Sequence, residues 1–179
     1  SGVAIYGGFA GGESSLSERD WVANPTILSG DISGDDSVDA NGVVTATANI
    51  NGDNAYHVLW LDGVNGDPIT QTTVVDGFFV TAGQAVGAGE PDTYGGGMYC
   101  AGGGNDNECS PKIVNVIFSG NSATTAGGAM YNGGYEGGIS DPSLQNVTFS
   151  GNSTGGYGGA IFNNAYLGNS SPSLVNVTF

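Results

Sequence analysis

The sequence predicts an all-β fold, a parallel β-solenoid (β-helix) with about 30–31 residues per regular coil. Three observations predict it: apolar segments that return at a fixed interval, Gly and Asn punctuation between them, and an almost complete lack of helix signals. The interval is the strongest. The segment Ser110-Pro111-Lys112-Ile113-Val114-Asn115-Val116-Ile117-Phe118-Ser119-Gly120-Asn121 returns from Asp141 to Asn152 and again from Ser171 to Phe179. Phe118, Phe149 and Phe179 stand 31 and then 30 residues apart. Between these copies, Gly127-Gly128-Ala129-Met130-Tyr131-Asn132 returns 31 residues later as Gly158 to Asn163, and an earlier version, Gly95 to Cys100, precedes it by 32. Helical repeats of similar period are excluded because Pro, Gly and β-branched residues fill the places that helices need.

Taken along the chain, Val3-Ala4-Ile5-Tyr6 opens as a strand. Glu13–Val22 has an acidic start and Arg19, but Pro25 stops it, so it reads as a loop with at most one short helical turn. Thr26–Ser29 and Ala55–Leu61 are further strands, and Val74–Thr81 takes the part of Val114–Ser119. The expected organisation is one domain over 1–179, with irregular, acidic, loop-bearing coils over 1–109 and regular repeats over 110–179. Within a regular repeat Leu144, Val147 and Phe149 are the expected inward residues. Strict alternation would put Leu144 opposite the other two, so a corner is expected at Asn146.

Stacking at about 4.8 Å per coil would set equal positions above one another. Phe118, Phe149 and Phe179 then form an aromatic stack. Asn115, Asn146 and Asn176 form one amide ladder, and Asn121 with Asn152 starts another. Asn146-Val147-Thr148 and Asn176-Val177-Thr178 also fit the N-glycosylation acceptor pattern. The ladder is favoured because the corner is expected to be buried. Cys100 and Cys109 flank a polar loop and are expected to form a disulfide in an oxidising compartment; two free thiols or a metal site are the alternatives, and no nearby His completes a zinc set.

Seventeen acids face only Arg19 and Lys112, for a formal net charge of −15. That excludes a basic surface for nucleic acid and argues against capture of acidic polysaccharide or anionic lipid. No run of 18 apolar residues spans a membrane, and no signal peptide is visible, so the chain reads as a mature product or an excerpt.

The patterns Gly-Gly-Ala-(Met/Ile)-(Tyr/Phe)-Asn and Pro-Ser-Leu-x-Asn-Val-Thr-Phe-Ser-Gly-Asn resemble the repeats of polymorphic outer-membrane-protein-type bacterial surface β-helices. The front, with Ile5–Phe9, Arg19-Asp20-Trp21 and Asn24–Asp31, is similar to the opening of the repeat region in large secreted proteins of that kind. The resemblance covers nearly the whole chain. It implies a right-handed parallel β-helix, a secreted or cell-surface setting and adhesive or structural roles. It carries over no catalytic residue.

The acids and the single His are the candidates for enzymatic chemistry. A uronate lyase needs cationic groups, and Arg19 and Lys112 are isolated. A glycosidase needs converging carboxylates. Asp35, Asp36 and Asp39 in one loop, or Asp62 and Asp67 in another, read instead as solvated turns. Asp31, Asp35, Asp36 and Asp39 are the candidate calcium ligands, although the EF-hand spacing is incomplete; no other cofactor is expected. His57, in an apolar strand with Tyr56 and Trp60, reads as structural. An ice-binding Thr column would include Thr148 and Thr178, but Ile117 breaks it.

The expected function is that of a structural, non-enzymatic solenoid. Phe179 stops in mid-pattern where Phe118 and Phe149 continue into Ser-Gly, and the chain opens on Ser1-Gly2. Head-to-tail self-association through Ser1, Gly2 and Phe179 is therefore the expected partner interaction, unless the chain is an excerpt whose continuation supplies Ser-Gly. An adhesin that binds a carbohydrate or cell-surface partner through its loops is the alternative.

Overall fold

The computed structural model describes residues 2–179, and the chain is all-β with parallel sheets. Helical geometry among the described residues is confined to two three-residue 3-10 turns, Leu16–Glu18 and Thr47–Asn49. The strands in chain order are β1 Ala4–Tyr6, β2 Thr26–Ser29, β3 Leu59–Asp62, β4 Val74–Asp76 and β5 Phe78–Thr81. There follow β6 Gln84–Ala85, β7 Met98–Ala101, β8 Lys112–Val114, β9 Ile117–Ser119 and β10 Ser122–Ala123. The last are β11 Met130–Gly133, β12 Ser143–Ser150, β13 Ser153–Thr154, β14 Ile161–Asn164 and β15 Ser173–Thr178.

Every pairing between these strands is parallel and joins one copy of the repeat to another. In the largest sheet β1, β4, β8 and β12 are neighbours in that order, as are β2, β5, β9 and β12, and β15 pairs with β12. The second sheet runs β6–β10–β13 and the third β3–β7–β11–β14. Register follows the apolar positions: Ile5, Val75, Ile113, Leu144 and Leu174 share one column, and Leu28, Val80, Phe118 and Phe149 another. Side chains from the first and third sheets meet in one core that includes Val80, Ile113, Phe118, Leu144, Met98 and Met130. Slipping any strand by one residue would turn its apolar set to solvent, which fixes the register.

The corner expected at Asn146 is made by backbone conformation. Asn115, Asn146 and Asn176 have φ of 52°, 55° and 53°, in the left-handed region that Asn tolerates better than other residues with a Cβ. One residue there re-aims the strand, so Leu144, Val147 and Phe149 all reach the core. The front half makes the same corner with Gly77, at φ 84°. The matching segment is accordingly Lys112–Ser119 and not Val114–Ser119: Val74 pairs with Lys112 and Thr81 with Ser119.

Two long excursions depart from the regular pattern. The first leaves at Gly7, beside Gly77, and returns at Thr26, which pairs with Phe78. The second leaves after β2 and lays Val43 and Val44, both buried, along the outside of the β5–β9 corner. Thr81 Oγ1 donates to the Val44 carbonyl at 3.1 Å and accepts from the Val44 N–H at 3.0 Å, and Ser119 Oγ donates to the same carbonyl at 2.9 Å. Gly120 must be glycine here, because a Cβ would lie 2.4 Å from the Val44 carbonyl oxygen. The acidic front, whose aspartates read from the sequence as solvated turns, is thus partly built into the fold.

Candidate functional site

The corner asparagines form a continuous chain of hydrogen bonds. Asn176 Nδ2 donates to Asn146 Oδ1 at 2.8 Å, Asn146 Nδ2 to Asn115 Oδ1 at 3.0 Å, and Asn115 Nδ2 to Asp76 Oδ1 at 2.9 Å. The other Asp76 oxygen pairs with the Arg19 guanidinium. Arg19 Nη1 also donates to the carbonyls of Gly7 at 3.1 Å and Asp76 at 3.2 Å, and the guanidinium lies 5.3 Å from the Tyr6 ring centroid. A column of amides therefore ends at a carboxylate, and the carboxylate at a cation. The expectation of a buried corner is corrected: Asn146 and Asn176 are exposed and Asn115 half-buried. The left-handed backbone sends these amides outward while their neighbours take the interior. Burial is thus no argument against glycosylation there; what engages each of the Asn115, Asn146 and Asn176 Nδ2 groups is the next residue of the ladder.

The second ladder is the buried one. Asn121 is 0% exposed; its Nδ2 donates to Asn152 Oδ1 and to the Val80 carbonyl, each at 2.9 Å, and its Oδ1 accepts from the Gly83 N–H at 3.0 Å. Asn152 Nδ2 in turn donates to the Phe118 carbonyl at 2.9 Å. A third ladder, which the sequence reading missed, joins buried Asn132 to Asn163 at 2.8 Å. Its signal was present, since both residues end the Gly-Gly-Ala repeat.

Aromatic columns accompany the ladders. Phe118 stacks on Phe149 at 5.1 Å, and Phe149 on Phe179 at 5.4 Å. A second column on the third sheet runs Trp60, Tyr99, Tyr131, Phe162, with centroid separations of 5.2, 5.2 and 5.8 Å. Burial pushes the Tyr99 phenol far up, and the Tyr131 phenol to about 12 despite a hydrogen bond from Asn164. A hydrogen bond to Glu90 takes Tyr94 to about 12, so these phenols remain protonated donors at neutral pH.

His57 sits beneath Trp60, edge to face at 5.1 Å. Its Nδ1 donates to the Gly95 carbonyl at 3.0 Å, which leaves Nε2 buried without a hydrogen-bond partner, 4.0 Å from Asp92 Oδ1. Burial lowers the His57 pKa below 6.5, outweighing the bonded Gly95 carbonyl and the Asp92 charge. The unfolded chain therefore takes up a proton that the folded chain refuses, and stability is lost as pH falls through 6.5 toward the lower folded value. Melting temperature measured from pH 7.5 to 5.5 is expected to fall more steeply in the wild type than in His57→Asn, whose amide can keep the bond to Gly95. Equal slopes would show that His57 does not titrate on unfolding.

Cys100 and Cys109 are joined by a disulfide, S–S 2.03 Å, with both residues in the core. Among the candidate calcium ligands, oxygens of Asp31, Asp35 and Asp36 lie within 4.8 Å of one another, and Asp39 stands outside that group. Asp39 Oδ1 instead accepts from the N–H groups of Asn41 at 2.9 Å and Val43 at 3.0 Å, closing the turn that launches the Val43–Val44 strap. Asp31 and Asp36 are likewise engaged by backbone N–H groups of Gly34 and Asn51. Thr148 pairs with Thr178 on one side and Ile117 on the other.

The assembly residues separate. Phe179 ends its stack, 68% exposed. Gly2 lies against Thr72 and leads into β1, whose Ile5 pairs with Val75 at the start of the repeat. The Ser-Gly that follows Phe118 or Phe149 stands at the other end of that segment, so Gly2 does not resume the interrupted pattern. Inward placement of Ile5 sets this register; Ser1 lies outside the described residues. No helix among the described residues is long and apolar enough to cross a membrane. No family model, curated protein or solved structure matches the chain.

Proposed function

We propose that the chain is a right-handed parallel β-helix serving as a structural, non-catalytic segment of an extracellular or cell-surface filament or stalk. Segments stack end to end through strand edges. The observation that carries this reading is that each repeated column is extendable. Asn176 and Phe179 repeat what Asn115, Asn146, Phe118 and Phe149 do one and two repeats earlier, so the same like-on-like contact is made at each step. A second copy of the chain offers the open edges of β1, β2 and β3 at its opposite end. A contact between unlike ends does not close on itself and propagates into a fibre. The disulfide suits an oxidising compartment. The formal charge of −15 predicts that salt favours association by screening repulsion between copies.

Negative-stain microscopy and sedimentation across a concentration series test the proposal. Rods that lengthen with concentration and salt, and that Phe179→Glu shortens or abolishes, are the expected result. Monomers that persist at high concentration and high salt would overturn it.

A further inference from the structure

Apart from the ladders and the strand edges, one cleft joins aromatic surface to unpaired carboxylates. It is shallow and open to solvent, about 330 Å³ in volume, and is lined by Trp60, Asp62, Asn65, Glu90, Pro91 and Tyr135. Trp60 and Asp62 lie two residues apart on β3 and therefore project from the same face of the strand. Because β3 is the edge of its sheet, the aromatic column stops at Trp60, which stacks on Tyr99 and remains 47% exposed. Glu90 enters from the segment between β6 and β7, where the Tyr94 hydroxyl donates to its Oε1 at 2.5 Å.

The Asp62 carboxylate is fixed in place. Burial raises its pKa, but bonds from the Asn65 side chain and from the N–H groups of Asn65 and Val64, each 3.0 Å, bring it below its ordinary value. Among the described residues neither Asp62 nor Glu90 has a cationic partner, and Arg19 is committed to Asp76. The cleft therefore offers an electron-rich ring face beside two acceptor groups that lack a counter-charge.

That combination selects a ligand. A ring with axial C–H groups packs on indole, and a cation is drawn both to the indole face and to the carboxylates. A neutral sugar would satisfy the ring and leave the carboxylates without a counter-charge, and an acidic one would be repelled. We infer that this cleft binds a cationic amino sugar, its pyranose ring laid on Trp60 and its protonated amine directed at Asp62 and Glu90. The site shares the β3 edge with the proposed end-to-end stacking, so it is open in a monomer and covered where a second copy stacks on that edge.

The test is titration of the isotopically labelled chain with a glucosamine trisaccharide, followed through the Trp60 indole N–H resonance. The fully N-acetylated trisaccharide and a galacturonate trisaccharide serve as neutral and acidic comparisons. The glucosamine trimer is expected to shift the Trp60 signal and to bind about tenfold more tightly than the N-acetylated trimer, with the galacturonate trimer weakest. Trp60→Ala is expected to weaken binding by about tenfold or more, and Glu90→Gln, a loop change that keeps the fold if Trp60→Ala does not, by several-fold. Equal affinity for the N-acetylated trimer would overturn the charge requirement. Binding that survives both substitutions would assign the ligand to the acidic surface at large, and an unmoved Trp60 signal would remove the site.

Discussion

Replacing Asn121 with leucine is expected to lower stability by about 3 kcal/mol or more, although leucine is of similar size and more apolar. Asn121 is fully buried, and its side chain serves three partners: the buried Val80 carbonyl and Gly83 N–H, and the half-buried Asn152. Leucine leaves the buried Val80 carbonyl and Gly83 N–H without that bond, whereas Asn152 Oδ1 still accepts from the backbone N–H of residue 121. Each buried polar group left unsatisfied costs about 1–3 kcal/mol, which outweighs the gain from a more apolar side chain. The informative comparison is Asn146→Gly on the outer ladder. Glycine accepts the left-handed corner without strain, and solvent replaces the lost amide bonds, so a loss below about 1 kcal/mol is expected. Urea denaturation of the two variants beside the wild type measures both. Similar midpoints for the two would mean that water reaches Asn121, and that the ladders do not divide into a buried and a solvated one.

That division marks how far the sequence could be read. Period, strand positions and the need for a corner at Asn146 all follow from spacing and alternation, which are local. The side on which Asn146 emerges does not, because alternation requires a bend without specifying the left-handed conformation that makes it. Contacts across long separations were invisible for a different reason. Arg19 reaches Asp76 across 57 residues, and Ser119 reaches Val44 across 75, from excursions that carry no copy of the repeat. Repetition reveals what each repeat does to the next and nothing about what is laid across several of them. The Trp60 cleft was missed in the same way: Glu90 and Tyr135 meet β3 from different repeats, and spacing along the chain does not show that they converge there.

Arg19 is where such a contact should matter most, and Arg19→Met is expected to cost about 3–5 kcal/mol. Both side chains of the Arg19–Asp76 pair are only 12% exposed, so methionine would leave a nearly buried carboxylate facing Asn115 on one side and no cation on the other. It would also remove the two bonds to the carbonyls of Gly7 and Asp76 that pin the first excursion to the sheet. Asp76→Asn separates the charge from the tether. An amide at 76 can still accept from Asn115, so in the Arg19→Met background it is expected to recover part of the loss. The double-mutant cycle should then depart from additivity by more than about 1 kcal/mol. Limited proteolysis read beside the denaturation midpoints locates the effect. If Arg19→Met admits cleavage between Gly8 and Pro25 while the global midpoint holds, Arg19 is a loop anchor alone. If the midpoint falls with it, the amide ladder depends on the ion pair at its end, and the front excursion belongs to the structure that the repeats build.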